Sequence, residues 1–171
     1  MQKSFCATTV TDPQNRHTKP GGYFEMQELD CRYKSDDGSL TEDSNLAYWS
    51  RVLTEASVKY NRPIPHHHEY FEWFERAGFV DVKQITVKSP TNPWPKDKKL
   101  KEIGKYQLCA HVEGLEGVSI GLLTRGAKWK PDEVSVLLAK VIPEMRDRSI
   151  HSYQTKYVIT APSSRCFTNF S

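Results

Sequence analysis

No run of this chain is apolar for long enough to cross a bilayer, so nothing in it points to a membrane partner. The opening stretch "MQKSFCATTVTDPQNRH" lacks the continuous apolar segment of a secretory leader. There are only four cysteines, Cys6, Cys31, Cys109 and Cys166, with no CxxC pair. That argues against a disulfide framework or a zinc ribbon and for reduced thiols in an intracellular protein. The expected compartment is the cytoplasm, with the nucleus left open, and the sequon Asn169-Phe170-Ser171 reads as coincidence. A net charge of +3 is too small to demand an acidic partner, and no nucleic-acid motif accompanies it. The sequence has no GxGxG, no phosphate loop, no GxSxG and no Ser/His/Asp or Cys/His order that suggests a nucleophile. Repeats and low-complexity segments are also missing.

What is present is a chain of 171 residues, 37% hydrophobic and 26% charged, enough for one domain with a real core. Residues 1–18 carry no periodicity and read as an irregular lead-in. "KPGGYFEMQELD" is a turn running into a strand over about 23–29: proline fixes φ, and two glycines tolerate positive φ. After the polar loop "KSDDGSLTED", Asp43 or Ser44 can cap a helix. Leu46, Trp49, Leu53, Ala56 and Tyr60 form its apolar stripe, and Pro63 and Pro65 stop it. A second helix spans roughly 67–77 and ends at Gly78, where a C-terminal cap belongs.

"FVDVKQITVK" predicts a strand over 79–88 with a twist or bulge where its phase changes between Val82 and Ile85. Residues 96–123 are helical in pattern but carry Gly104, Gly114 and Gly117, which predicts two shorter helices. Pro131, Asp132 and Glu133 open a further helix with Val134, Leu137, Leu138, Val141 and Met145 on its buried face. Pro143 lies inside it and is expected to kink or end it. A last strand occupies about 153–160, and residues 161–171 read as a loose tail. Strands alternating with helices argue α/β, with about three strands and four or five helices.

Five segments in order, "KPGGYFEMQELD", "DDGSL", "ERAGFVDVKQITVKSP", "PWPKDKKLKEIG" and "EMRDRSIHSY", resemble the C-terminal half of the LaeA-like fungal methyltransferases. These are proteins of secondary metabolism and its regulation that use S-adenosylmethionine (SAM). The resemblance covers residues 19–160 and implies a partial class I methyltransferase-like, Rossmann-like half-domain. It implies a last strand lying antiparallel between the other two, in the order 23–29, 153–160, 79–88. It also implies a role as methyl transfer to a small natural product or as regulation around it.

The family binds its cofactor through a glycine-rich loop after the first strand and an acid after the second. Neither stands in this sequence, so the chain is expected to bind no SAM by itself. The alternatives that stay open are a cofactor-free enzyme keeping the substrate pocket, such as a cyclase, and a non-catalytic binding subunit. The outer edge of strand 23–29 would lack its family neighbour, which predicts a homodimer or a partner protein there.

His66, His67 and His68 are consecutive and cannot converge on one metal, and His68 with Glu72 is a single pair, so no metal is expected. By the resemblance that helix starts on the substrate side, which makes His67 and His68 catalytic candidates suited to base work at neutral pH. Glu28 is a third candidate, at a strand's C-terminal end where α/β sheets bind ligands; a solvated strand end competes with that reading. Tyr48, Trp49 and Trp94 are candidates to line a substrate pocket. Core packing competes for all three and is the stronger reading for Trp49. The lysines of "KDKKLKEIGK" read as a solvated helix face.

Overall fold

The computed structural model describes residues 18–19, 21–64 and 67–163, with His67 and His68 as backbone only. In chain order the elements are β1 (Tyr23–Leu29), α1 (Asn45–Lys59), α2 (His67–Arg76), β2 (Lys83–Pro90), α3 (Lys98–Gly126), α4 (Pro131–Arg146) and β3 (Tyr153–Pro162). The fold is α/β. Its sheet has the order β1–β3–β2. β1 and β3 are antiparallel, from Tyr23 opposite Pro162 to Leu29 opposite Lys156. The Val80 amide donates to Pro162 and the Thr91 amide to Ser152, so partner numbers fall as β2 rises. β3 therefore opposes both neighbours, in the expected order.

The chain divides into two compact units. One takes in Met1–Leu29, Pro65–Val87 and Lys156–Ser171; the other takes in Asp30–Ile64 and Lys88–Thr155. In the first, Tyr157, Ile159 and Ala161 alternate onto one face of β3 and meet Met26 and Phe24 of β1. Tyr70, Trp73 and Phe74 of α2 cover that face together with Phe79. Gly78 at φ 85° ends α2 as expected, and the Phe79 amide reaches back to Phe74 O. The strand expected from residue 79 starts at Lys83 instead, because the left-handed Asp81, at φ 53°, interrupts the extended run.

In the second unit α1, α3 and α4 pack on one another. Leu46, Trp49, Leu53 and Ala56 of α1 face Leu115 and Leu123 of α3 and the whole expected stripe of α4. Tyr60 leaves the expected α1 stripe: it follows the helix end and is exposed, because Asn61 at φ 56° stops α1 before Pro63 is reached. Ser44 Oγ caps α1 by accepting from Ala47 N at 3.0 Å. The Glu144 carboxylate of α4 accepts from the amides of Asn45 (3.0 Å) and Leu46 (2.8 Å), answering the unpaired donors and positive end of α1.

The expected break in the long helical region is not found. Residues 98–126 form one helix, where two were expected. A Cβ at Gly114, Gly117 or Gly121 would touch nothing within 4 Å, so these glycines only lower helix propensity. Packing through Leu115, Ser119 and Leu123 offsets that loss. Nor does Pro143 end α4, which runs on to Arg146 with the loss of a single late bond. β3 also continues past residue 160 to Pro162, paired with Tyr23, so the first residues of the expected tail are strand.

Candidate functional site

The densest polar constellation among the described residues lies wholly within the second unit. It is built where β1 runs out into Asp30–Ser39, where β2 ends in Lys88–Trp94, and where β3 begins at His151–Gln154. The C-terminal ends of strands are where open α/β sheets bind ligands. All five sequence segments that carried the resemblance contribute to it.

Asp30 anchors the first segment. It is 5% exposed, its amide donates to Thr155 O, and its carboxylate pairs with Arg32 Nε at 2.7 Å and Lys34 Nζ at 3.0 Å. Burial pushes its pKa up, but the hydrogen bonds from Arg32 and Lys34 outweigh it, and the net pKa lies below the ordinary value. A depressed folded pKa gives stability that is present above the unfolded carboxylate value, about 3.9, and lost as pH falls through the folded one. Asp30→Asn is therefore expected to cost about 2 kcal/mol at pH 7. Denaturant titration should find that deficit shrinking below about pH 4; a deficit constant down to pH 2 would contradict the ionic assignment.

Two carboxylates follow. Asp36 accepts from Lys88 Nζ and from Tyr153 Oη at 2.7 Å, and the Lys88 ammonium also sits 4.7 Å from the Tyr153 ring centre. The Lys88 bond, ahead of the Tyr153 one, holds the Asp36 carboxyl below its usual range. Asp37 is also held below its usual range, chiefly by Ser35 Oγ at 2.6 Å, then by Ser39 and by His151. Its second oxygen faces His151 Nδ1.

The imidazole is fixed from other sides as well. The His151 amide donates to Ser39 Oγ at 2.8 Å, and the ring lies 4.8 Å from the Trp94 ring at a 31° tilt. Trp94 is itself pinned, its indole N–H donating to Ser152 O at 2.9 Å. Fully buried Asn92 holds the loop by donating to the carbonyls of Asp147 and Ile150. Beside these groups in the chain, Ser89 Oγ and Gln154 Oε1 are buried without a hydrogen-bond partner among the described residues. Such groups are ordinarily paired, and a ligand is one way to pair them.

Of the aromatic candidates, Trp94 belongs to this constellation and is half-buried. Trp49 lies in the core of the same unit, its indole N–H donating to Ser119 Oγ at 2.9 Å. Tyr48 is 38% exposed, near Trp129, with the Arg51 guanidinium over its ring. Glu28 sits on β1 opposite Tyr157 in the other unit, and burial pushes its pKa up. The side chains of His67 and His68 lie outside the described residues. No group of three or more His, Cys, Asp or Glu that could hold a metal ion occurs among the described residues. None of their helices is long and apolar enough to cross a membrane.

Sequence reasoning did not single out His151, Asp37, Asp36, Lys88 or Tyr153 as site residues. His151 and Asp37 stand 114 positions apart, and no local spacing announces such a pair. The one available signal was that both fall inside quoted segments, "DDGSL" and "EMRDRSIHSY".

No protein-family model matches the chain, and no solved structure does. Curated proteins do. A probable methyltransferase, tdiE, of Emericella nidulans is 38% identical over 155 residues, which is 88% of this chain and 49% of that protein. Methyltransferase pytC of Aspergillus terreus is 35% identical over 85% of this chain and 45% of its own length. The secondary metabolism regulator laeA of Monascus pilosus is 32% identical over 85% of this chain and 40% of its own. The chain thus spans about half the length of the curated relatives it matches.

Proposed function

Because this chain is related over most of its length to the LaeA-like methyltransferases and regulators of fungal secondary metabolism, we propose that it handles the small natural-product side of that chemistry and does not bind SAM on its own. The observation that carries the reading is the split between what is built and what is not. A polar, partly exposed constellation stands at the strand ends. Eight of the nine glycines go elsewhere: Gly21 and Gly22 to the turn before β1, Gly78 to the end of α2, five to α3. Gly38, at φ 74° in the turn after β1, is the single glycine between a strand and the helix that follows it. A dinucleotide-type site needs several glycines there so that backbone can approach the ligand. These residues do not fit SAM.

Methyl transfer then requires a cofactor-binding half beside this one. The edge of β1, outermost in the sheet order, is the place for it or for a second copy of the chain. A cofactor-free enzyme is the second reading, favoured by the carboxylate-held imidazole of His151. Calorimetric titration of SAM into the purified chain decides the main point. The expected result is no binding tighter than about 1 mM. Micromolar affinity would overturn the proposal.

A further inference from the structure

We infer that His151 Nε2 is the proton acceptor for a phenolic or enolic hydroxyl of a small, flat substrate seated beside Trp94, with Asp37 as its positioning residue. The inference deepens the substrate-handling reading above and rests on it.

The tautomer follows from the contacts. A carboxylate only accepts, so His151 Nδ1, facing Asp37, must carry a hydrogen. In the neutral ring the lone pair is then on Nε2, which has no partner among the described residues, and the side chain is 41% exposed. Asp37 is anchored from the other side: Ser35 Oγ and the Ser39 amide, at 2.6 and 3.0 Å, both donate to its first oxygen and leave the second for the imidazole. This is the arrangement in which a carboxylate orients an imidazole and stabilises its protonated form. Among the described residues Asp37 is the charged group bonded to the ring, and Asp36, next in the chain, is occupied by Lys88 and Tyr153.

The substrate class follows from acidity and shape. A phenolic or enolic hydroxyl is acidic enough to pass its proton to a neutral imidazole, whereas an aliphatic alcohol is far weaker as an acid. The half-buried Trp94 ring, locked by its bond to Ser152, offers a flat apolar neighbour to an aromatic or enolic ring. In the step itself the substrate O–H bond breaks, its electron pair stays on oxygen, and Nε2 gains the proton, to be released to water.

Histidine-labelled protein studied by 15N NMR, with phenol as the probe, tests this on the intact chain. The free protein should show neutral His151 as the Nδ1–H tautomer. The probe should shift the Nε2 resonance. Binding should fall at least tenfold in His151→Gln. Asp37→Asn should instead move the tautomer balance toward Nε2–H. An Nε2–H tautomer in the unsubstituted protein, a reading that needs no variant, overturns the inference. So does probe binding unchanged by His151→Gln. Neither outcome touches the SAM titration, so failure of this assignment and failure of the broader reading are separable.

Discussion

Gly104→Ala is expected to destabilise the protein by about 3 kcal/mol, lowering the melting temperature by about 6–12 °C. In an ordinary helix the change would help by up to about 1 kcal/mol, since alanine is the better helix former. At Gly104 the added methyl would overlap the carbonyl oxygen of Asn92 and come within 2.6 Å of its carbonyl carbon. Those are backbone atoms, which cannot rotate away as a side chain would. The Asn92 loop must therefore move, and with it Trp94 and the bonds from Asn92 to Asp147 and Ile150. The control is the same substitution at Gly117, where nothing lies within 4 Å and a gain of up to about 1 kcal/mol is expected. Thermal or denaturant unfolding of the two variants side by side gives the answer. Equal stabilities would mean that the close approach of α3 to the loop is wrong.

Phe74→Ala should cost about 3–5 kcal/mol, the usual range for emptying a fully buried aromatic site. Phe74 is 0% exposed and centres the core of its unit, with the rings of Phe79 at 5.3 Å and Phe24 at 5.5 Å. That core is assembled from one helix, two strands and the Phe79–Val82 segment, and its large rings are rigid, so little can collapse into the space. Hydrogen exchange should lose most protection in β1, α2 and the paired part of β3. Ile85→Ala, at a residue 64% exposed, should change stability by less than about 0.5 kcal/mol. Full protection retained in Phe74→Ala would contradict the packing described.

The fold was legible where a local rule governs. Ser44, Gly78 and Pro131 mark helix ends because caps act over one turn, and the α4 stripe holds because its partners lie on one side. It was illegible where the deciding contact was remote. The glycines of α3 look alike in sequence; only the Asn92 backbone distinguishes Gly104 from Gly114, Gly117 and Gly121. Tyr60 kept the α1 period yet left the stripe, because the positive φ of Asn61 came first.

The site divides in the same way. Trp94 could be suspected from a proline-rich loop, since packing alone explained it poorly there. His151 could not, because what makes it reactive is Asp37 on a distant turn. By itself the sequence determined the α/β class, the kinship, the helix ends and the want of a glycine-rich cofactor loop, all of which depend on residue types at short spacing. Tertiary structure alone decided that α3 is one helix, that Tyr60 leaves the α1 stripe, and that Asp37, Trp94 and His151 meet. The first and last of those outcomes depend on which distant backbone atoms close on one another, and pairing across more than a hundred residues leaves no local pattern to read.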